Sequence, residues 1–178
     1  ALAALLVDAP HNESSLIRPQ LGLVLAIAHY EAAEDYLFRA QSLEVLQNPL
    51  VQEYFNLAAT HYEKAKQQID KLKETAGRGS ADYNFHLQYA KGNIYYRVLQ
   101  VLAANDTKME LFEQTALAWE RALDFRAKDH DTQMNLELLK INQGLLLADA
   151  NDNSLEKLKQ IPKLARPQFS IGARRGKL

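Results

Sequence analysis

The amino-acid sequence predicts an all-α fold of antiparallel helical hairpins, and three observations carry that expectation. Apolar residues recur at steps of three and four, most clearly from Val51 through Tyr54, Phe55, Ala58, Tyr62, Ala65 and Ile69 to Leu72, which is one face of an amphipathic helix. The breaks between such stretches are short, at Asn48-Pro49, at Gly77–Ser80 (GRGS) and at Asn105-Asp106. No alternating run of β-branched residues bounded by turn residues occurs, so no strand is predicted.

The elements follow in chain order. A first helix is expected from about Gln20 to Leu46, with Leu23, Ile27, Tyr30, Leu37 and Phe38 facing inward; a break near Gln41-Ser42 is left open. The second starts after Asn48-Pro49, where proline suits a first turn, and its polar side carries Glu53, Lys64, Gln67, Asp70 and Lys71. The third runs from about Asp82 to Ala104. Thr107 with Glu110 has the spacing of a capping box opening a fourth helix, whose inner face is Phe112, Thr115, Ala116, Trp119, Ala122 and Leu123. A fifth begins near Asp131 and carries Leu136, Leu139, Leu145 and Leu146; a short sixth follows Asn153-Ser154.

Length and charge narrow the class. A chain of 178 residues, 47% apolar and 24% charged, is long enough for one domain with a real core. We expect residues 1–160 to form it and 161–178 to be a basic extended or disordered tail. Net charge is −1, which gives no reason to expect nucleic acid. Its distribution is uneven: Lys157, Lys159, Lys163, Arg166, Arg174, Arg175 and Lys177 are followed by no acidic residue, leaving the body at about −8. Such a tail is either solvated or a contact surface, with Arg166, Arg174, Arg175 and Lys177 as its candidate contacts. There are no cysteines, which excludes disulfides and thiolate chemistry and fits a reducing cytosol or a periplasm. The longest apolar run, Leu21–Ala28, is under half of the roughly 20 residues a spanning helix needs. The start at ALAALL without Met leaves room for a preceding anchor or signal.

The residues of chemistry do not assemble into a motif. Five histidines at 11, 29, 61, 86 and 130 have no HExxH spacing. Asp129-His130-Asp131 falls on an inter-helix turn, where aspartate is an ordinary cap. His61 and His86 read as hydrogen-bonded structural residues. GRGS lacks the length and the lysine–serine pair of a phosphate loop, and Glu31 with Glu34 reads as surface decoration. We expect no enzyme, no catalytic residue, no cofactor and no metal.

The interaction signal lies in YAKGNIYYR, Tyr89–Arg97. A glycine inside a helix costs about 1 kcal/mol against alanine, so Gly92 needs a compensating role. It precedes Tyr95 by three residues, as Trp119 precedes Ala122 on the next helix. This pairing of small and aromatic positions resembles tetratricopeptide repeats (TPR), in which small residues let helices approach and aromatics fill the groove beside them. The gap from Gly92 to Trp119 is about eleven residues longer than in the standard repeat, and the usual proline after the second helix is absent around Ala127-Lys128. The combination of Tyr89, Gly92, Asn93, Tyr95 and Arg97, a long hairpin, and a turn into Asn135-Leu136-Glu137 resembles the MxaK-type TPR-like accessory proteins of bacterial methanol-oxidation gene clusters, with relatives beside MoxR-type ATPases and von Willebrand A-domain proteins. It covers residues 82–140.

That resemblance implies a right-handed superhelix of about five to seven helices, and a periplasmic or membrane-anchored accessory factor that helps mature an envelope enzyme; a cytoplasmic location is the alternative. It implies a protein partner, such as a complex with a MoxR-type ATPase or A-domain protein. Asn93, Tyr96, Arg97, Asn135 and Lys140 would line the binding groove, although buried asparagines also serve neighbouring polar groups. The second functional expectation is a structural subunit of an envelope or secretion assembly, docked through the basic tail.

Overall fold

The structure is a computed structural model that describes residues 14–77, 80–104 and 106–147. Among them are six helices and no strand: α1 (Ser14–Val45), α2 (Val51–Ile69), α3 (Ser80–Val101), α4 (Lys108–Phe125), α5 (His130–Ile141) and α6 (Gln143–Leu147). The all-α fold of helical hairpins is therefore observed.

α1 and α2 form the first hairpin. His29 faces His61 and Tyr36 faces Tyr54, so position rises on one helix as it falls on the other, which makes the pair antiparallel. The seam is alanine. Ala26, Ala33 and Ala40 of α1 recur at seven-residue spacing with no exposed surface, and Ala58 and Ala65 of α2 are buried in the same way. Methyl-sized side chains let the backbones approach, and a seven-residue repeat keeps one face on a single partner. At the far end Gly22 sits against Leu72; a Cβ there would lie 2.7 Å from the leucine's Cδ2.

The second hairpin, α3 with α4, closes on one large side chain. Trp119 is fully buried, and a Cβ added to Gly92 would overlap its indole. The glycine is the point of closest approach that its cost in the helix suggested. The Trp119 indole N–H donates to Asn93 Oδ1 at 3.1 Å, and the Tyr96 ring lies 5.7 Å from the indole.

α3 is the central element. From Tyr83 to Val101 most of its side chains are buried, polar ones included. It meets α1 through Arg97 and Glu34, α2 through Tyr95 and Asp70, α4 through Trp119 and α5 through Tyr89 and Asn135. A helix covered on all sides has no single apolar stripe. The α2–α3 connection is fastened by Asn84: its Oδ1 accepts from the Thr75 amide and its Nδ2 donates to the Thr75 carbonyl, each at 2.8 Å.

Several expectations need correction. α1 starts before Gln20 and takes in Pro19; a proline so near the start removes one backbone bond and leaves the rest of the helix intact. It runs unbroken past Gln41-Ser42. Phe38 is 56% exposed, because the buried positions step through Tyr30, Ala33, Leu37 and Ala40 and Phe38 is turned away beside Leu37. α2 ends at Ile69, with Leu72 half-buried beyond it. The capping box does not form: Thr107 makes no cap bond and instead donates its hydroxyl to the Ala104 carbonyl at 3.0 Å, while Glu110 accepts from Gln114. α5 begins at His130, capped by Asp129. The chain breaks at Asn142 before α6, and the helix expected after Asn153-Ser154 and the tail lie outside the described residues.

Candidate functional site

Of the five residues expected to line a groove, the fold encloses four. Asn93, Tyr96 and Asn135 have at most 1% of their surface exposed, and Arg97 has 9%. Only Lys140 is exposed. Asn93 accepts from Trp119, and Asn135 donates to the Tyr89 hydroxyl at 3.3 Å. These asparagines bond polar groups between helices, because packing α3 on every side leaves its polar residues the facing helices as partners in place of water. Burial pushes the Tyr89 and Tyr96 hydroxyls up to about 12, so both stay protonated.

The densest polar assembly joins the two hairpins. Arg97 Nε lies 2.7 Å from Glu34 Oε1, and its Nη2 donates to Oε2 at 2.9 Å, a two-point pairing that fixes orientation as well as charge. Tyr62 donates to Glu34 Oε1 at 2.6 Å, and Arg97 Nη1 donates to Gln100 Oε1 at 2.8 Å. Both charged side chains are mostly enclosed, at 15% and 11% exposed. Burial works against the Arg97 charge, but Glu34 outweighs it and the guanidinium is held charged more firmly than usual. Burial first, then the Glu34 charge, raises the Tyr30 and Tyr62 hydroxyls well above their ordinary value. This is an electrostatic lock turned inward, in which Arg97 Nη1 and Nη2 donate hydrogen bonds and Nε meets Glu34 as an ion-pair contact. Glu34 is therefore not the surface carboxylate it resembled.

On the outer side of the α1–α2 seam a row of rings runs Tyr54, Tyr36, His61, His29, with centroids 6.1, 5.4 and 5.3 Å apart. The histidine Nδ1 atoms are 3.2 Å apart. Elsewhere Glu74 accepts two bonds at 3.0 Å from Arg121 and one from Gln88 at 2.7 Å, tying the α2–α3 connection to both helices of the second hairpin.

Sequence reasoning missed Glu34, the histidine pair and the Asn84 clamp. The first was available: Glu34 stands four residues after Tyr30 and three before Leu37, on the inward face of α1. An arginine inside a helix as apolar as α3 needs an acid to meet it.

Asp129 caps α5, accepting from the Thr132 amide at 3.0 Å and hydroxyl at 2.6 Å. No group of three or more His, Cys, Asp or Glu converges as a metal site among the described residues, and no helix among them is long and apolar enough to cross a membrane. Between Leu21 and Ala28 the exposed residues of α1 are apolar: Leu21 is 61%, Val24 51% and Leu25 44% exposed. The chain matches no family model, no curated protein and no solved structure.

Proposed function

We propose that this protein is a non-enzymatic helical-hairpin interaction module of the TPR-like kind, which binds a protein partner as an accessory or maturation factor. The observation that carries this reading is the outer face of α1. Leu21, Val24, Leu25 and Ala28 are exposed in one strip, and no Asp, Glu, Lys or Arg occurs between Gln20 and Tyr30. Contiguous exposed apolar residues mark interaction surfaces. The stacked hairpins support the same reading, since small-residue seams and a central covered helix make the rigid frame such modules need. The contact residues then differ from the first expectation. Asn93, Tyr96, Arg97 and Asn135 hold the frame, and the partner meets α1, with Lys140 on a separate exposed surface of α5. A bacterial envelope location, next to a MoxR-type ATPase or A-domain protein, follows only from the family resemblance of residues 82–140.

The test is a Leu21→Glu/Leu25→Glu double variant in the full chain, compared with wild type in affinity co-purification from the source cells. The expected outcome is unchanged helicity and melting with loss of the co-purifying protein. Retention of that partner removes α1 from consideration. The charge asymmetry favours a second reading, docking of a structural subunit through Arg166, Arg174, Arg175 and Lys177. Deleting residues 166–178 would then release the partner while the α1 variant keeps it.

A further inference from the structure

The His29–His61 contact serves no part of the proposed interaction surface. The two Nδ1 atoms lie 3.2 Å apart across the α1–α2 seam, partly buried, with the Tyr36 ring 5.4 Å from His61. At that distance one imidazole donates its Nδ1–H and the other accepts with its lone pair, which requires at least one neutral ring. If both are protonated, two cationic N–H groups face each other with no acceptor between them. The charges acting on His61 are His29 and Lys64, one turn further along α2, and both oppose a further proton. Glu34, across the seam on α1, is engaged on the inner side by Arg97 and Tyr62.

We propose that His29 and His61 form an acid-operated latch on the α1–α2 hairpin. Protonation of the second ring parts the outer side of the seam, while the Glu34–Arg97–Tyr62 lock holds the inner side as the hinge. Burial, then the positive charge of His29 and of Lys64, lowers the His61 pKa in the closed state. A depressed value means that opening takes up a proton. The latch therefore stabilises the hairpin above the ordinary histidine value of about 6.5 and loses hold as pH falls from there through the closed-state value. The Glu34 lock needs no imidazole, so it survives this window.

Amide hydrogen exchange on the full chain tests the latch, corrected for intrinsic rates, in EDTA, between pH 7.5 and 5. His86 is the confounding group: burial, then Arg126, lowers its pKa too. A His86→Asn background removes it. The expected result is that amides of residues 25–33 and 57–65 open more readily below pH 6.5, by up to about tenfold per pH unit for one proton taken up, while those around Trp119 do not change. His61→Gln abolishes that slope, and His29→Gln, which leaves the burial of His61 in place, reduces it. Imidazole NMR adds an independent readout: His29→Gln removes the positive charge beside His61 and moves its pKa back up toward the ordinary value. A pH-independent opening of the seam, a slope unchanged by His29→Gln, or a His61 titration that His29→Gln does not move overturns the proposal.

Discussion

The two hairpins solve one packing problem in opposite ways. α1 and α2 approach through many small contacts, with five alanines that have no exposed surface spread along the seam. α3 and α4 approach at one point, where Gly92 admits the whole of Trp119. A distributed seam tolerates a local fault, because each methyl carries little of the burial energy. A seam closed on one large side chain concentrates that energy, and it also concentrates polar bonding, since Trp119, Asn93 and Tyr96 meet there. The first hairpin should therefore soften locally and the second should fail as a unit.

The largest effect expected is at Trp119. Trp119→Ala empties the centre of the second hairpin and leaves Asn93 without its donor, at a cost of about 3–5 kcal/mol, read from urea unfolding. Gly92→Ala sharpens the same point through a cycle. In wild type the new methyl overlaps the indole and should cost about 1–3 kcal/mol. In a Trp119→Leu background the overlap disappears, and the better helix propensity of alanine should make the substitution stabilising by up to about 1 kcal/mol. If Gly92→Ala costs the same in both backgrounds, the glycine is there for some reason other than Trp119.

Next comes the lock between the hairpins. Removing one member of a mostly buried ion pair strands the other, so Glu34→Gln or Arg97→Met alone should destabilise by about 3 kcal/mol. Replacing both, as Glu34→Leu/Arg97→Met, should recover most of the loss, because two apolar side chains do not carry the desolvation cost of two charges. Equal losses in the single and double variants would show that the pair does more than satisfy itself.

How far each hairpin was legible in the sequence follows from the same contrast. Glycine is costly inside a helix and the chain has a single tryptophan, so Gly92 and Trp119 announced a close approach from the sequence. The α1–α2 seam was not read as one. Alanine is also the best helix former, and a repeat of Ala26, Ala33 and Ala40 looks like propensity until a partner helix is seen against it. The groove went wrong for a physical reason. Asn93, Tyr96 and Arg97 share α3 with a run of apolar residues, and periodicity cannot tell a helix with one open face from one enclosed on all sides. Glu34 and Arg97 are 63 positions apart, a pairing that only the stacking of hairpins reveals. The exposed strip on α1 was noticed in the sequence only as an apolar run too short to span a membrane.

A smaller effect should come from overfilling the distributed seam. Ala33→Leu pushes an extra isobutyl group between α1 and α2 and should cost about 1–3 kcal/mol. The loss should appear first as faster amide exchange around Ala33 and Ala58, with the Trp119 region protected until global unfolding. If both hairpins lose protection together, the seams are not separable and the contrast between them fails.

The smallest effect is at the turn that joins α1 to α2, and it should be a gain. Gln47 has φ +51°, in the left-handed region, just past the end of α1. The surrounding bonds make a helix stop: the amides of Leu46 and Asn48 both donate to the Leu43 carbonyl, and Gln47 donates to Glu44. Such stops favour glycine at the left-handed residue, since a Cβ there crowds the following carbonyl. Gln47→Gly should therefore stabilise by up to about 1 kcal/mol, less what is lost to the freer unfolded chain. Gln47→Ala should not, because alanine keeps the Cβ. Thermal melts of the two variants side by side separate relief of strain from loss of the glutamine side chain. A gain confined to glycine shows that the first hairpin, so tolerant along its seam, carries its strain at the turn.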